Sequence, residues 1–187
     1  MKTILLATVC LLFAGQAMAE RPRYNRATLE YVSVEPDGYS ESFDGFGVSG
    51  EYRVAPEVLV SASYVTVSDE ILGYDVDVSA FSIGGDYIIE VQHEVDVLVG
   101  AFLVRSEAEV SGSSDSDSDD TEIGIQAGVR KAIDQLPMQF EGGLTLVDGD
   151  ISIGGSAACF FTDEVSAHLS IAFGDGESFG LGGSYWF

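Results

Sequence analysis

The sequence predicts an all-β protein, an antiparallel up-and-down transmembrane β-barrel of ten strands. Three observations carry this. Apolar residues alternate with polar or small ones at period two over most of the chain. The alternating segments are about ten residues long, the length a tilted strand needs to cross a bilayer. The polar faces hold Gly, Ser, Gln and opposed charges, such as Glu51 with Arg53 and Glu122 with Arg130. Those faces suit a crowded barrel interior better than the open face of a soluble sandwich.

In chain order, residues 1–19 read as a secretory signal peptide and 20–187 as one barrel domain. Met1-Lys2-Thr3 begins with a base, Ile4 to Gly15 is apolar, and Ala17-Met18-Ala19 sets small residues before a cut at Glu20. Twelve apolar residues are too few to cross a hydrocarbon layer of about 30 Å as a helix. Cys10 leaves with the leader, so Cys159 has no partner for an intramolecular disulfide and is expected to be inert packing.

The expected strands are residues 24–35, 45–54, 58–67, 74–89, 95–106, 121–131, 137–147, 151–161, 165–174 and 178–187. Ala55-Pro56-Glu57, Asp148-Gly149-Asp150 and Thr162-Asp163-Glu164 are expected turns, because Pro, Gly and Asp supply the backbone angles and local hydrogen bonds that hairpins need. Alternation is clearest in the sixth, seventh and tenth strands. Ile123, Ile125, Ala127 and Val129 oppose Glu122, Gly124, Gln126, Gly128 and Arg130. Phe140, Leu144 and Leu146 oppose Gln139, Glu141 and Thr145, and Phe179, Leu181, Tyr185 and Phe187 oppose Gly180, Gly182 and Ser184. Merging one short hairpin would reduce the count to eight.

Charge excludes one class of function and orients the chain. With 31 acids against 8 bases the net charge is −23, so a nucleic-acid partner, whose phosphates need Lys and Arg, is excluded. Hydrophobicity too high for a disordered acidic chain means that it folds. The connections after odd strands hold 16 acids and no Lys or Arg, whereas Arg21, Arg23, Arg26, Arg53, Arg130 and Lys131 lie at the opposite end.

The last eight residues, Gly180-Leu181-Gly182-Gly183-Ser184-Tyr185-Trp186-Phe187, resemble the assembly signal of small Gram-negative outer-membrane β-barrels. Gly182, Tyr185 and Phe187 match it, while Gly180 stands where a polar residue is usual. The resemblance implies export to the periplasm, insertion by the barrel-assembly machinery, and residence among outer-membrane lipid and lipopolysaccharide. It names no activity.

Candidate sites follow from the same face assignment. Glu30, Glu51, Arg53, Glu122, Arg130 and Glu141 are expected to form an ion-pair network in the lumen. The stretch Glu107 to Asp120 is expected to be a mobile, solvated outer loop. Its Asp115, Asp117, Asp119 and Asp120 offer hard oxygen ligands for divalent cations, although without EF-hand spacing. No cofactor or resident metal site is expected. The leading function is a monomeric, non-enzymatic envelope protein with a structural or surface-interaction role and an acidic outer face. The alternative is a narrow cation-preferring pore. A second alternative is a lipid A-modifying hydrolase, since His168-Leu169-Ser170 looks like the His-x-Ser strand of lipid A deacylases. Ile171 replaces that family's Asn, and His168 and Ser170 face the lumen in this register.

Overall fold

The computed structural model describes residues 22–36, 42–71, 74–92, 94–111, 116–133 and 136–187. Ten strands form in sequence order: β1 (Arg26–Pro36), β2 (Phe43–Ala55), β3 (Val58–Ile71), β4 (Tyr74–Gln92), β5 (Val95–Ser111), β6 (Ser116–Ile133), β7 (Met138–Val147), β8 (Asp150–Phe160), β9 (Val165–Phe173) and β10 (Gly176–Trp186). Each pairs antiparallel with its neighbours in sequence, and β1 pairs with β10 to close the barrel. The count is therefore ten, not eight.

Alternation now has a physical direction. Leu29, Phe46, Val60, Ile83, Leu103, Ile125, Leu144, Ile153, Ile171 and Leu181 all point outward and are exposed. A chain folding in water would cover so much apolar surface; around a barrel it forms the belt that meets lipid. The residues between them point inward, where three small apolar clusters and a set of polar side chains fill the lumen. One apolar cluster, built on Val32, Phe43 and Val67, lines the β1–β4 wall towards the connections that follow odd strands.

The Asp148-Gly149 turn has the backbone its sequence demands. Asp148 has φ 46° and Gly149 φ 100°, a pair of left-handed residues that lets Val147 pair directly with Asp150.

Strand height corrects one expectation. Glu107 to Asp120 is mostly ladder, not loop: Glu107 pairs with Asp119, Glu109 with Asp117 and Val110 with Ser116. Asp115 lies outside the described residues. Like charges facing one another across a ladder are unfavourable, but Glu107, Glu109 and Asp119 are on the outward, solvated face. The inward face of the same extension carries Val76, Val78, Ala108 and Val110, all partly covered, and that apolar side favours pairing. Strands β4, β5 and β6 reach 19, 17 and 18 residues, against 10 for β7.

Candidate functional site

At the end of the barrel where β1 begins and β10 ends, residues 22–25 do not join the sheet. They fold into the mouth. The Gln139 amide holds the Arg23 backbone from both sides: the Arg23 N–H donates to Oε1 at 2.7 Å and Gln139 Nε2 donates to the Arg23 carbonyl at 3.2 Å. The Tyr24 ring is buried against Leu59, Ile88 and Leu98, and its hydroxyl donates to Asp96. The guanidinium groups of Arg53 and Arg130 lie over that ring, 5.1 and 4.7 Å from its centre. Burial, then the hydrogen bond and charge of Asp96, hold the Tyr24 phenol well above its ordinary pKa. Beside this stopper Arg23 lies over Phe160, and Phe160 packs on Trp186, whose indole N–H donates to Ser166 at 2.8 Å. Residues 24 and 25, expected to begin the first strand, form part of this stopper instead.

Above the stopper, charges cross the lumen. The β1–β2 register sets Arg26 opposite Glu51, and the β6–β7 register sets Arg130 opposite Glu141. Each of these ladder pairs is an ion pair, at 2.8 Å for both. The two pairs also bridge from wall to wall: Arg26 reaches Glu141 at 3.1 Å and Arg130 reaches Glu51 at 2.9 Å. Arg130 is fully buried and also donates to the Arg23 carbonyl at 3.2 Å. Two opposite signs on each wall satisfy one another, the condition under which buried charges persist.

The expected network is thus brought together only in part. Glu51, Arg130 and Glu141 meet, with Arg26 as the fourth member that the sequence reading missed. Its signal was the β1–β2 register, which sets it directly opposite Glu51. Glu30 stands apart: Ser170 Oγ donates to its carboxylate at 3.0 Å and His168 Nε2 lies 3.8 Å away. Arg53 sits at the mouth, donating to the Pro56 carbonyl and to Glu90 at 3.2 Å. Glu122 pairs with Val104 higher in the lumen, outside the four-charge cluster, because the seven residues between it and Arg130 carry it too far along the strand.

Beyond the four charges the lumen holds a cavity of about 380 Å³, lined by Ser49, Ser61, Ser82, Gln126 and Ser156 among others. Asp86 borders it and accepts a hydrogen bond from Gln126 at 2.7 Å. His168 and Ser170 face the lumen as expected. The Ser170 hydroxyl is engaged by Glu30, and Asp175 and Glu177 lie at the far end of the β9–β10 hairpin.

The remaining expected sites divide between faces. Asp119 and Asp120 fall on opposite faces of β6, and Asp115 lies outside the described residues. Among the described residues no group of three or more His, Cys, Asp or Glu is placed to hold a metal ion. Gly182 packs beneath the backbone of Leu29 and Glu30. Tyr185 and Phe187 point outward, stacked at 6.4 Å, and Phe187 stacks on Tyr52 at 6.3 Å. Cys159 is buried near the end of β8; the sequence's other cysteine, Cys10, lies outside the described residues.

No protein-family model matches the sequence, and no curated protein does. Solved structures do match. OprG of Pseudomonas aeruginosa, an outer-membrane protein, is similar with a TM-score of 0.50 at 12% identity, over 91% of this chain and 99% of that one. Ail of Yersinia pestis, solved with the heparin analogue sucrose octasulfate, gives 0.49 at 14% identity, over 88% and 97%. Neisserial surface protein A gives 0.47 at 18%, over 88% and 96%. At these identities the likeness is one of fold: the chain has the fold of the small Gram-negative outer-membrane β-barrels.

Proposed function

We propose that this chain is a sealed outer-membrane β-barrel of a Gram-negative envelope, non-enzymatic, whose acidic connections work at the cell surface in a structural or surface-interaction role. One observation carries the sealed reading: two ladder ion pairs on opposite walls are cross-linked through the lumen, directly above an aromatic stopper. The exposed apolar belt and the fold support residence in the outer membrane, following removal of residues 1–19 and insertion by the assembly machinery. The bases gathered at the terminal end support placing that end in the periplasm and the acidic connections outside. There the acids would meet lipopolysaccharide, with divalent cations bridging carboxylate to phosphate. His168 and Ser170 face the lumen and not the lipid, which argues against a lipid A hydrolase.

A narrow cation-preferring pore is the second reading, favoured by the cavity above the four charges and by the carboxylates of Asp86 and Glu30 beside it. Ion flux separates the two. Refolded protein in planar bilayers should be silent, and Tyr24→Ala combined with Arg130→Ala should conduct. Discrete steps from the parent protein would overturn the sealed reading in favour of the pore.

A further inference from the structure

The wall of the barrel is not level. Strand β6 pairs with β5 from Ser116 to Lys131, but with β7 only from Gly124 onward. Over residues 116–123, among the described residues, nothing pairs with the β7 side of β6. The chain there is extended, so every second residue turns its N–H and C=O to an open edge. Ile123, at the foot of that edge, is the most exposed large apolar side chain among the described residues, at 71%.

An open edge of this length is a template for another strand. The charges around it choose which strand. The outward face of the extension carries Asp119 beside Glu107 and Glu109, with Asp75 and Asp77 one strand further on, in β4. The other face of β6 carries Asp120 and Glu122. The base in this region, Arg105, is held by Glu107 at 2.9 Å and Asp119 at 3.4 Å. A second copy of this chain would lay acid against acid and is repelled. An extended segment with Lys or Arg at alternate positions would turn its bases to one face, against Asp119 and its acidic neighbours or against Asp120 and Glu122, while its backbone completes the ladder.

We infer that residues 116–123 are a docking edge for a basic, extended polypeptide segment of a partner protein, bound by strand addition. This deepens the surface-interaction reading and rests on it.

The test uses the whole protein folded in lipid nanodiscs. The probes are a ten-residue peptide of alternating Lys and Thr and the same peptide N-methylated at alternate backbone amides, in both registers. Fluorescence anisotropy should show the parent peptide binding, the form methylated at its edge-facing amides weakened by about tenfold or more, and the form methylated in the other register binding as the parent does. Asp119→Asn with Asp120→Asn and Glu122→Gln should weaken the parent peptide by a similar factor. Amide exchange should slow within 116–123 on binding. Lack of binding overturns the inference. So does equal binding of the methylated peptides, which would mean charge attraction without strand addition, or slowed exchange confined to other residues. The orientation is checked separately by antibody labelling, in intact cells, of an epitope inserted between residues 113 and 114. If the epitope is hidden while the peptide still binds the isolated protein, the surface reading fails and the edge stands.

Discussion

Removing the Arg130 guanidinium tests the idea that the lumen is held shut by mutually neutralised charges. Arg130→Met keeps a long apolar stem but deletes two ion pairs, at 2.9 Å to Glu51 and 2.8 Å to Glu141, and the hydrogen bond to the Arg23 carbonyl. Both carboxylates then share Arg26 alone. Breaking one side of a buried ion pair costs about 3–5 kcal/mol, because the surviving charge stays buried. Arg130 is completely buried, and Glu51 and Glu141 expose 15% and 27% of their side chains, so the lower half of that range is expected. Removing the matching charge as well reverses the effect: Arg130→Met with Glu141→Gln leaves the Arg26–Glu51 pair at 2.8 Å intact. Its cost should fall to about 1 kcal/mol. The assay is urea unfolding from phospholipid vesicles, followed by the fluorescence of Trp186, the one tryptophan. The reasoning is refuted if the single variant costs less than about 1 kcal/mol, or if the double variant costs as much as its two single changes added.

Other outcomes follow from separate parts of the barrel. A Cβ at Gly182 would run into the Leu29 carbonyl and the Glu30 backbone, so Gly182→Ala should lower the stability of protein refolded without any assembly factor by about 1–3 kcal/mol. Phe187→Ala removes an exposed ring and should leave that stability nearly unchanged while lowering the amount assembled in cells; blotting of outer-membrane fractions measures it. The raised pKa of Tyr24 means folding favours its protonated form, so this contribution is complete below the ordinary tyrosine pKa near 10 and declines as pH rises through that value and towards the higher folded one. Unfolding midpoints between pH 8 and 11.5 should fall more steeply for the parent than for Tyr24→Phe; parallel curves would contradict the linkage.

Strand order was legible because each hairpin leaves a local trace: alternation on both arms and a turn such as Asp148-Gly149 between them. The height of β5 and β6 was not, because above the lipid the outward residues become acids, and a run such as Ser116 to Asp120 reads as loop. A weaker trace persisted in Val76, Val78, Ala108 and Val110, which keep period two on the inward face alone. The lumen site was half legible. Glu51, Arg130 and Glu141 were placed inside by parity, but which of them meet depends on where β6 lies relative to β1 after closure. Arg26 and Glu141 are 115 residues apart in sequence, and no local pattern sets that distance. Tyr24 was read as the start of a strand because an aromatic beside a strand suits either role; the Gln139 clamp that draws the segment inward lies on a distant strand.

The β1–β10 seam imposes an order on folding. Nine of the ten strand pairings join neighbours in sequence and close short loops. The tenth sets Arg26 against Trp186 and Pro36 against Gly176, so the entropy of closing nearly the whole chain falls on this single step. The hairpins can form piecemeal, but the cylinder exists only when the last strand finds the first. Trp186 sits at that junction, beneath Arg26 and against Phe160. Its emission should therefore lag behind the growth of β-structure during refolding, reporting the moment the sheet becomes a barrel.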